Sequence, residues 1–227
     1  MTQELWILLA SVSFMGFTHT LLGPDHYLPF IVMARSGKWS KTKTLLITSL
    51  CSIGHILGSV VLGVVGIGFG YSLTQLSAVE SFRGDIAAWL LTTFGLLYFI
   101  WGMRKAFQMQ NQALQSSNEA EHQQDILPQT SSKRLFTPWM LFVIFVLGPC
   151  EPLIPLMLYP AVKNDPFTLF LVLGTFALST LVTMLTCVFL SFYSFKKLKT
   201  HKLERFTHAI AGATICMCGL GILLMGL

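Results

Sequence analysis

Histidine, carboxylate and cysteine side chains occur inside long apolar segments of this sequence. They are His19, Asp25, His26, His55, Cys150 and Glu151. An ionisable group at the centre of a bilayer costs about 3 kcal/mol or more, so residues of this kind are functional candidates by default. Imidazole, carboxylate and thiol groups together form a mixed nitrogen, oxygen and sulfur ligand set that suits Ni²⁺, Co²⁺ or Zn²⁺. The residue types therefore predict a binding site for a divalent transition metal at membrane depth.

Two Gly-Pro pairs stand beside these side chains and predict breaks in the helices that hold them. Gly23-Pro24 precedes Asp25-His26, and Gly148-Pro149 precedes Cys150-Glu151. Proline removes a backbone donor, and broken helices are tolerated at membrane depth only where they are buried in protein or line a cavity. In many secondary transporters such breaks meet at a midplane substrate site. We therefore expect the two breaks to bring the candidate ligands together.

The composition excludes an ordinary soluble enzyme. Of the 227 residues, 53% are apolar and only 11% are charged, whereas soluble domains carry about 25% charged residues. Apolar blocks of about 18 to 30 residues match the length that crosses a bilayer. The net charge of +5 comes with basic residues in short loops, so we expect no nucleic-acid partner. The chain is predicted to be an all-α polytopic membrane protein without enzymatic activity.

Hydropathy predicts six transmembrane spans, of which the first and fourth are broken, proline-containing segments. They cover about residues 5–34, 44–71, 86–104, 137–161, 166–194 and 208–227. The segment 107–136 is rich in Gln, Ser and Asn and is predicted to be a flexible cytoplasmic linker. It separates residues 1–106 from residues 137–227, each holding three spans.

The two halves are predicted to be an inverted repeat. Each half contains a Gly-Pro break and, further on, a pair of glycines seven residues apart, which are Gly95 with Gly102 and Gly219 with Gly226. The distance from break to glycine pair is 72 residues in the first half and 71 in the second. Because each half has an odd number of spans, duplicated halves insert with opposite orientations, as in many secondary transporters.

Lysine and arginine alternate between loops, which predicts the orientation by the positive-inside rule. The first, third and fifth loops contain most of them, whereas the second and fourth contain Arg83 and Lys163. Both termini are therefore expected outside, in a bacterial inner membrane. No basic leader precedes the first apolar block, so we expect no signal peptide.

Structural roles are the alternative for individual candidates. His19 could donate to a carbonyl group, Asp25 could cap the short helix after the break, and His55 could make an interhelical contact. Taken together with Cys150-Glu151 in the opposite half, the residues favour a site. The remaining cysteines, Cys51, Cys187, Cys216 and Cys218, are interpreted as small packing residues.

Three short motifs resemble a known superfamily of membrane proteins. GFTHTLLGPDHYLPF and SIGHILGSVVLG resemble the urease-accessory (UreH-type) proteins and the nickel/cobalt transporters. On that resemblance His19, Asp25, His26 and His55 handle the metal. VLGPCEPLIPLMLYPA is similar to the proline-cysteine segment of nickel/cobalt exporters and of the thiol-disulfide carriers of cytochrome c biogenesis. The superfamily also includes sulfite exporters of the TauE/SafE type.

Three functions remain open from the sequence. The first is secondary transport of a nickel/cobalt-type divalent metal, which is a substrate and not a permanently bound cofactor. The second is export of sulfite or another sulfur-containing anion, which the two acidic residues disfavour. The third is a transmembrane thiol-disulfide electron carrier, which needs two cysteines that can pair. The expected partners are the lipid bilayer, a small inorganic ion and a second copy in a possible homo-oligomer.

The alternating charges predict the side on which two segments lie. A single cysteine introduced near Ser116, in a background without other accessible cysteines, should be protected from impermeant thiol reagents in intact cells. A cysteine near Lys163 should be labelled. The reverse pattern, or labelling of both, would overturn the predicted orientation.

Overall fold

The computed structural model describes residues 3–118, 136–150, 152–163, 165–194 and 204–225. All regular structure in these ranges is helical, which confirms the predicted all-α class. The α-helices are α1 Gln3–Leu22, α2 Leu28–Ser36, α3 Lys41–Gly68, α4 Leu73–Asn118, α5 Phe136–Leu147, α6 Leu153–Val162, α7 Pro166–Ser194 and α8 Thr207–Met225. Short 3₁₀ turns cover Pro24–His26 and Glu204–Phe206.

Five helices of the described chain are long and apolar enough to cross a membrane. These segments are Gln3–Leu22, Lys41–Gly68, Leu73–Gln108, Pro166–Ser194 and Thr207–Leu224. Large apolar side chains on them are exposed, including Leu22 at 74% and Phe170 at 73%, as expected where lipid replaces water. The chain is therefore a multi-pass membrane protein that is surrounded by a lipid bilayer.

The two predicted broken spans occur as pairs of shorter helices. Residues 5–34 are divided between α1 and α2, and residues 137–161 are divided between α5 and α6. The helices α5 and α6 have 12 and 10 residues, and neither alone spans about 30 Å of hydrocarbon. The count of six spans and the inverted repeat therefore stay predictions at this point.

Helix α4 is longer at both ends than the sequence predicted. The third span was expected to begin at residue 86, but α4 begins at Leu73. Polar residues in its first turns, including Glu80 and Arg83, lower the hydropathy without interrupting the helix. At the other end α4 continues to Asn118, into the predicted linker, because Gln, Ala and Met favour helix. The rest of that linker to residue 135 lies outside the described residues, and the division into two halves stays a prediction.

Glycines bring α4 and α8 into backbone contact. A Cβ atom added at Gly95 would overlap the Cys216 nitrogen, and one at Gly102 would overlap the Ala209 nitrogen. Residues later in α4 contact residues earlier in α8, so the two helices are antiparallel. Small residues allow this close approach between membrane helices.

Two apolar clusters form the interior. The first includes Phe145 and residues of α2, α3, α4, α5, α7 and α8. The second includes Phe176 and residues of α1, α6 and α7. The ring of His55 lies 6.4 Å from that of Phe145, and the ring of His19 lies 6.5 Å from that of Phe176. The histidines therefore lie between the two clusters.

The α4–α8 contact predicts a selective loss of stability on substitution of one glycine. A Cβ atom at Gly212 would overlap the Phe99 nitrogen, whereas no described residue lies within 4 Å of one at Gly221 on the same helix. Gly212→Ala should destabilise the protein by about 2 kcal/mol through overpacking. Thermal unfolding in detergent should show a lower melting temperature for Gly212→Ala and an unlowered one for the control Gly221→Ala. Equal melting temperatures for the two variants would contradict the contact.

Candidate functional site

The break between α1 and α2 turns His26 back towards His19. Helix α1 ends at Leu22, and the Gly23 amide donates to the His19 carbonyl at 3.0 Å. The His26 amide donates to the Gly23 carbonyl at 3.1 Å, closing a single 3₁₀ turn over Pro24–His26. A Cβ atom at Gly23 would lie 2.6 Å from His26 Nδ1. Only glycine therefore leaves room for the imidazole of His26 against this turn.

Three imidazoles from two helices and the break come together. The ring centroids of His19 and His26 are 4.8 Å apart, and those of His26 and His55 are 5.3 Å apart. One ring nitrogen of each histidine lies within 4.8 Å of those of the other two. Helix α1, the break and α3 thus each place one imidazole nitrogen close to the other two.

Hydrogen bonds on Nδ1 fix which nitrogen faces the cluster. His26 Nδ1 donates to the Gly23 carbonyl at 3.2 Å and lies 3.3 Å from Asp25 Oδ2. His55 Nδ1 donates to the Phe145 carbonyl at 3.1 Å. A carbonyl oxygen only accepts, so both rings are protonated at Nδ1 and offer a lone pair at Nε2. A carboxylate or carbonyl on the far nitrogen is the usual support of a metal-binding histidine.

The Nε2 atoms of all three histidines are buried. Those of His19, His26 and His55 have no hydrogen-bond partner among the described residues. A buried polar atom left unpaired costs about 1–3 kcal/mol. Three such atoms on neighbouring rings indicate a site for a ligand that accepts electron pairs, and a metal cation is such a ligand.

The imidazoles line a cavity of about 410 Å³ that both helix breaks enter. Gly23 and Asp25 come from the first break, and Gly148 and Pro149 come from the second. A Cβ atom at Gly148 would lie 3.1 Å from His55 Nδ1. The second break therefore forms the wall against which His55 rests.

The predicted site residues of the second half are not in the group of close ligand atoms found among the described residues. Cys150 is fully buried in the second apolar cluster, and its sulfur is outside the group of mutually close ligand atoms. Glu151 lies outside the described residues. The carboxylate of Asp25 lies 3.3 Å from His26 Nδ1 and is likewise outside that group.

Two charged residues that the sequence analysis assigned to a loop hold the second break. Glu80 is 1% exposed, and its carboxylate accepts from Ser59 Oγ at 2.5 Å and from the Cys150 amide at 2.9 Å. Arg83 pairs with Glu80 at 2.7 Å and donates to the Gly148 carbonyl at 2.8 Å. The available signal was that an acid and a base stand three residues apart, on one face of a helix. Because Glu80 neutralises Arg83, this cation gives no support to an anion site.

A family comparison covers most of the chain. Residues 28–223 match the sequence model of the family described as cytochrome c biogenesis protein transmembrane region. The chain belongs to this family. The match supports the resemblance to thiol-disulfide carriers, and it gives no support to the resemblance to urease-accessory proteins and nickel/cobalt transporters. No curated protein and no solved structure matches.

Membership of this family directs attention to the cysteines. All five are thiols in the structure, and Cys51 and Cys150 are buried in different apolar clusters. Relative to the Gly-Pro pairs, the position that corresponds to Cys150 in the first half is Asp25. The cavity is thus supplied with imidazoles rather than with a pair of thiols.

The contact between Asp25 and His26 predicts a specific effect on metal binding. Asp25→Asn removes the negative charge that holds His26 Nδ1, and loss of such a supporting group weakens metal affinity about 10- to 100-fold. Titration of the purified protein with Co²⁺ should show this loss, with folding and insertion unchanged. The control Asp85→Asn changes an exposed acid on α4 and should bind as the unmodified protein does. Equal affinities for both variants would contradict the assigned role of Asp25.

Proposed function

We propose that this protein is a membrane carrier that binds a divalent transition-metal cation at His19, His26 and His55 and moves it across the bilayer. The observation that supports the proposal is the convergence of three histidines: one ring nitrogen of each lies within 4.8 Å of those of the other two, and their buried Nε2 atoms have no hydrogen-bond partner among the described residues. Neutral imidazole is a ligand that Zn²⁺, Cu²⁺ and Ni²⁺ accept well. The carboxylate of Asp25, next to His26, offsets part of the charge of the cation.

The ligand number suits a cargo that has to leave. Closed structural zinc sites use four protein ligands, whereas sites with exchangeable occupants keep at least one position open. Three histidines on a cavity of about 410 Å³ satisfy the second condition. Both acidic and imidazole groups at such a site are able to exchange protons for the ion during transport.

Helix pairing supports an inverted repeat with six crossings. The order of contacts along α3 suggests that α5 and α6 together make one crossing in the same direction as α3. Added Cβ atoms at Gly54 and Gly58 would approach Phe142 and Val146, and one at Gly63 would approach Met157. An inverted repeat predicts that the contacts of α3 with α5 recur between α7 and α1, and both pairs are in contact.

We place the protein in a bacterial inner membrane with both termini outside, following the distribution of lysine and arginine. In this arrangement each half contributes one broken span to the cavity, as in transporters that alternate between two openings. Association into a homo-oligomer remains part of the proposal.

The second candidate function is a thiol-disulfide electron carrier. Family membership favours it, as does Cys150 next to the Gly148-Pro149 break. In such a carrier the thiolate of Cys150 attacks a disulfide of the acceptor protein, and a second thiol of the carrier resolves the mixed disulfide, so that the acceptor leaves as a dithiol and the carrier holds a disulfide. A dithiol of the donor protein then reduces the carrier disulfide by the same exchange and is itself oxidised. Cys51 is the partner that this function would require. Exchange between thiols and disulfides leaves the histidine cluster without a role, whereas metal transport uses it.

Flux in proteoliposomes separates the two candidates. Ni²⁺, Co²⁺, Zn²⁺, Mn²⁺ and Fe²⁺ are supplied in turn, with sulfite as the anion control. At least one cation should be transported, and His26→Ala should reduce its flux more than tenfold because one of three ligands is lost. The control His208→Ala alters a half-buried histidine that pairs with Tyr98 and should transport normally.

The cysteine variant completes this test. Cys150→Ser should retain metal flux, because the sulfur lies outside the ligand group. Transfer of reducing equivalents from an internal dithiol to an external disulfide is measured in the same vesicles. The electron carrier becomes the better proposal if the vesicles transfer thiol equivalents but no metal, and if Cys150→Ser abolishes that transfer.

A further inference from the structure

We infer that Glu80 and Arg83 form a latch that holds the second helix break in the arrangement that binds metal. The latch is defined as this ion pair with Ser59, which donates to Glu80 Oε1 at 2.5 Å. The inference rests on the proposed metal site and adds to it two positioning residues on α4. Both residues contact backbone groups of the break, and we assign their effect on the histidines to this backbone.

The latch satisfies backbone groups on both sides of the break. Arg83 Nη2 donates to the Val146 carbonyl at 3.2 Å and to the Gly148 carbonyl at 2.8 Å, and Nε donates to the Leu147 carbonyl at 3.4 Å. These carbonyls end α5, where intrahelical partners run out. Glu80 Oε1 accepts the Cys150 amide, the first donor beyond Pro149, at 2.9 Å.

The same stretch of backbone orients one metal ligand. The Phe145 carbonyl accepts from His55 Nδ1 at 3.1 Å, and it directly precedes the carbonyls that Arg83 holds. Gly148 lies against the His55 ring, since a Cβ atom there would come within 3.1 Å of Nδ1. A displacement of the α5 end therefore moves the acceptor that fixes the tautomer and the orientation of His55.

Close helix packing keeps the latch next to the break. A Cβ atom at Gly84 would lie 2.9 Å from Pro149 Cγ. One at Gly58 would lie 2.8 Å from the Val146 carbonyl oxygen and 3.2 Å from Arg83 Nη2. Side chains at these positions would separate α3 and α4 from the break, so the glycines and the ion pair form one arrangement.

The planar guanidinium matters because it reaches several carbonyls at once. Arg83→Lys keeps the charge and loses the fork of donors. Glu80→Gln keeps the shape of the side chain and removes its charge. Ser59→Ala removes only one hydrogen-bond donor to Glu80 and is therefore the mildest change. Two exposed residues of α4 provide matched controls, namely Asp85→Asn and Arg104→Gln.

The first measurement follows the position of the break without any metal. Cys150 is fully buried, so its rate of reaction with N-ethylmaleimide, in a background where the other four cysteines are alanine, reports opening of the break. Glu80→Gln and Arg83→Lys should each raise this rate about tenfold, because hydrogen bonds to charged groups are lost. Ser59→Ala should raise it less, and the two controls should leave it unchanged.

The second measurement reads the geometry of the ligands. Co²⁺ bound by the folded fraction of each variant should show a changed visible absorption spectrum and an affinity about tenfold weaker than in the unmodified protein. A residue with only a structural role would lower the melting temperature and leave the spectrum of the folded fraction unchanged.

The two measurements separate failure of the latch from failure of the metal site. An unchanged Cys150 reaction rate in both Glu80→Gln and Arg83→Lys would overturn the latch, whatever the metal result. Faster labelling with an unchanged Co²⁺ spectrum and affinity would overturn the link to His55. Failure of the unmodified protein to bind Co²⁺ would refute the proposed function, and the labelling rates would then decide on the latch alone.

Discussion

The requirement that backbone polar groups be satisfied inside a membrane governs the arrangement of this protein. A continuous helix satisfies them within itself, but each Gly-Pro pair leaves donors and acceptors that water cannot reach. The first break solves this locally, because the Gly23 and His26 amides bond back to nearby carbonyls. The second break relies on side chains from α4, which bond to groups near Gly148. The positions of α1 to α6 around the cavity follow from these two solutions.

Backbone groups at the breaks have hydrogen-bond partners, whereas the Nε2 atoms of the histidines in the cavity have none among the described residues. The Nδ1 atoms of His26 and His55 are used by carbonyl groups, so their Nε2 atoms point away from any backbone partner. Three imidazoles with free lone pairs form a set of neutral, moderately soft ligands. Thiol exchange makes no use of such a set, and this contrast separates the geometry of the cavity from the chemistry that the family description names.

Much of the first half of the site was predictable because its signal is local. Ionisable residues in apolar blocks are rare, and Gly23-Pro24 lies between His19 and His26, so their approach followed from sequence. The contact of His55 with the Phe145 carbonyl joins residues 90 positions apart, and no local pattern encodes it. Glu80 and Arg83 were missed for a different reason. Hydropathy averages over a window, and a buried ion pair lowers the average in the same way as a solvated loop.

The difference between Asp25 and Cys150 at corresponding places bears on the chemistry of the fold. A disulfide carrier requires two thiols that can pair. In the first break the residue after Pro24 is a carboxylate, which lies beside Nδ1 of His26. The second break keeps its cysteine, but the amide of that residue is bound by Glu80 and the side chain is buried among apolar residues. Under the proposed function, the ligands come from α1, the first break and α3, whereas the second break supplies the wall against which His55 rests.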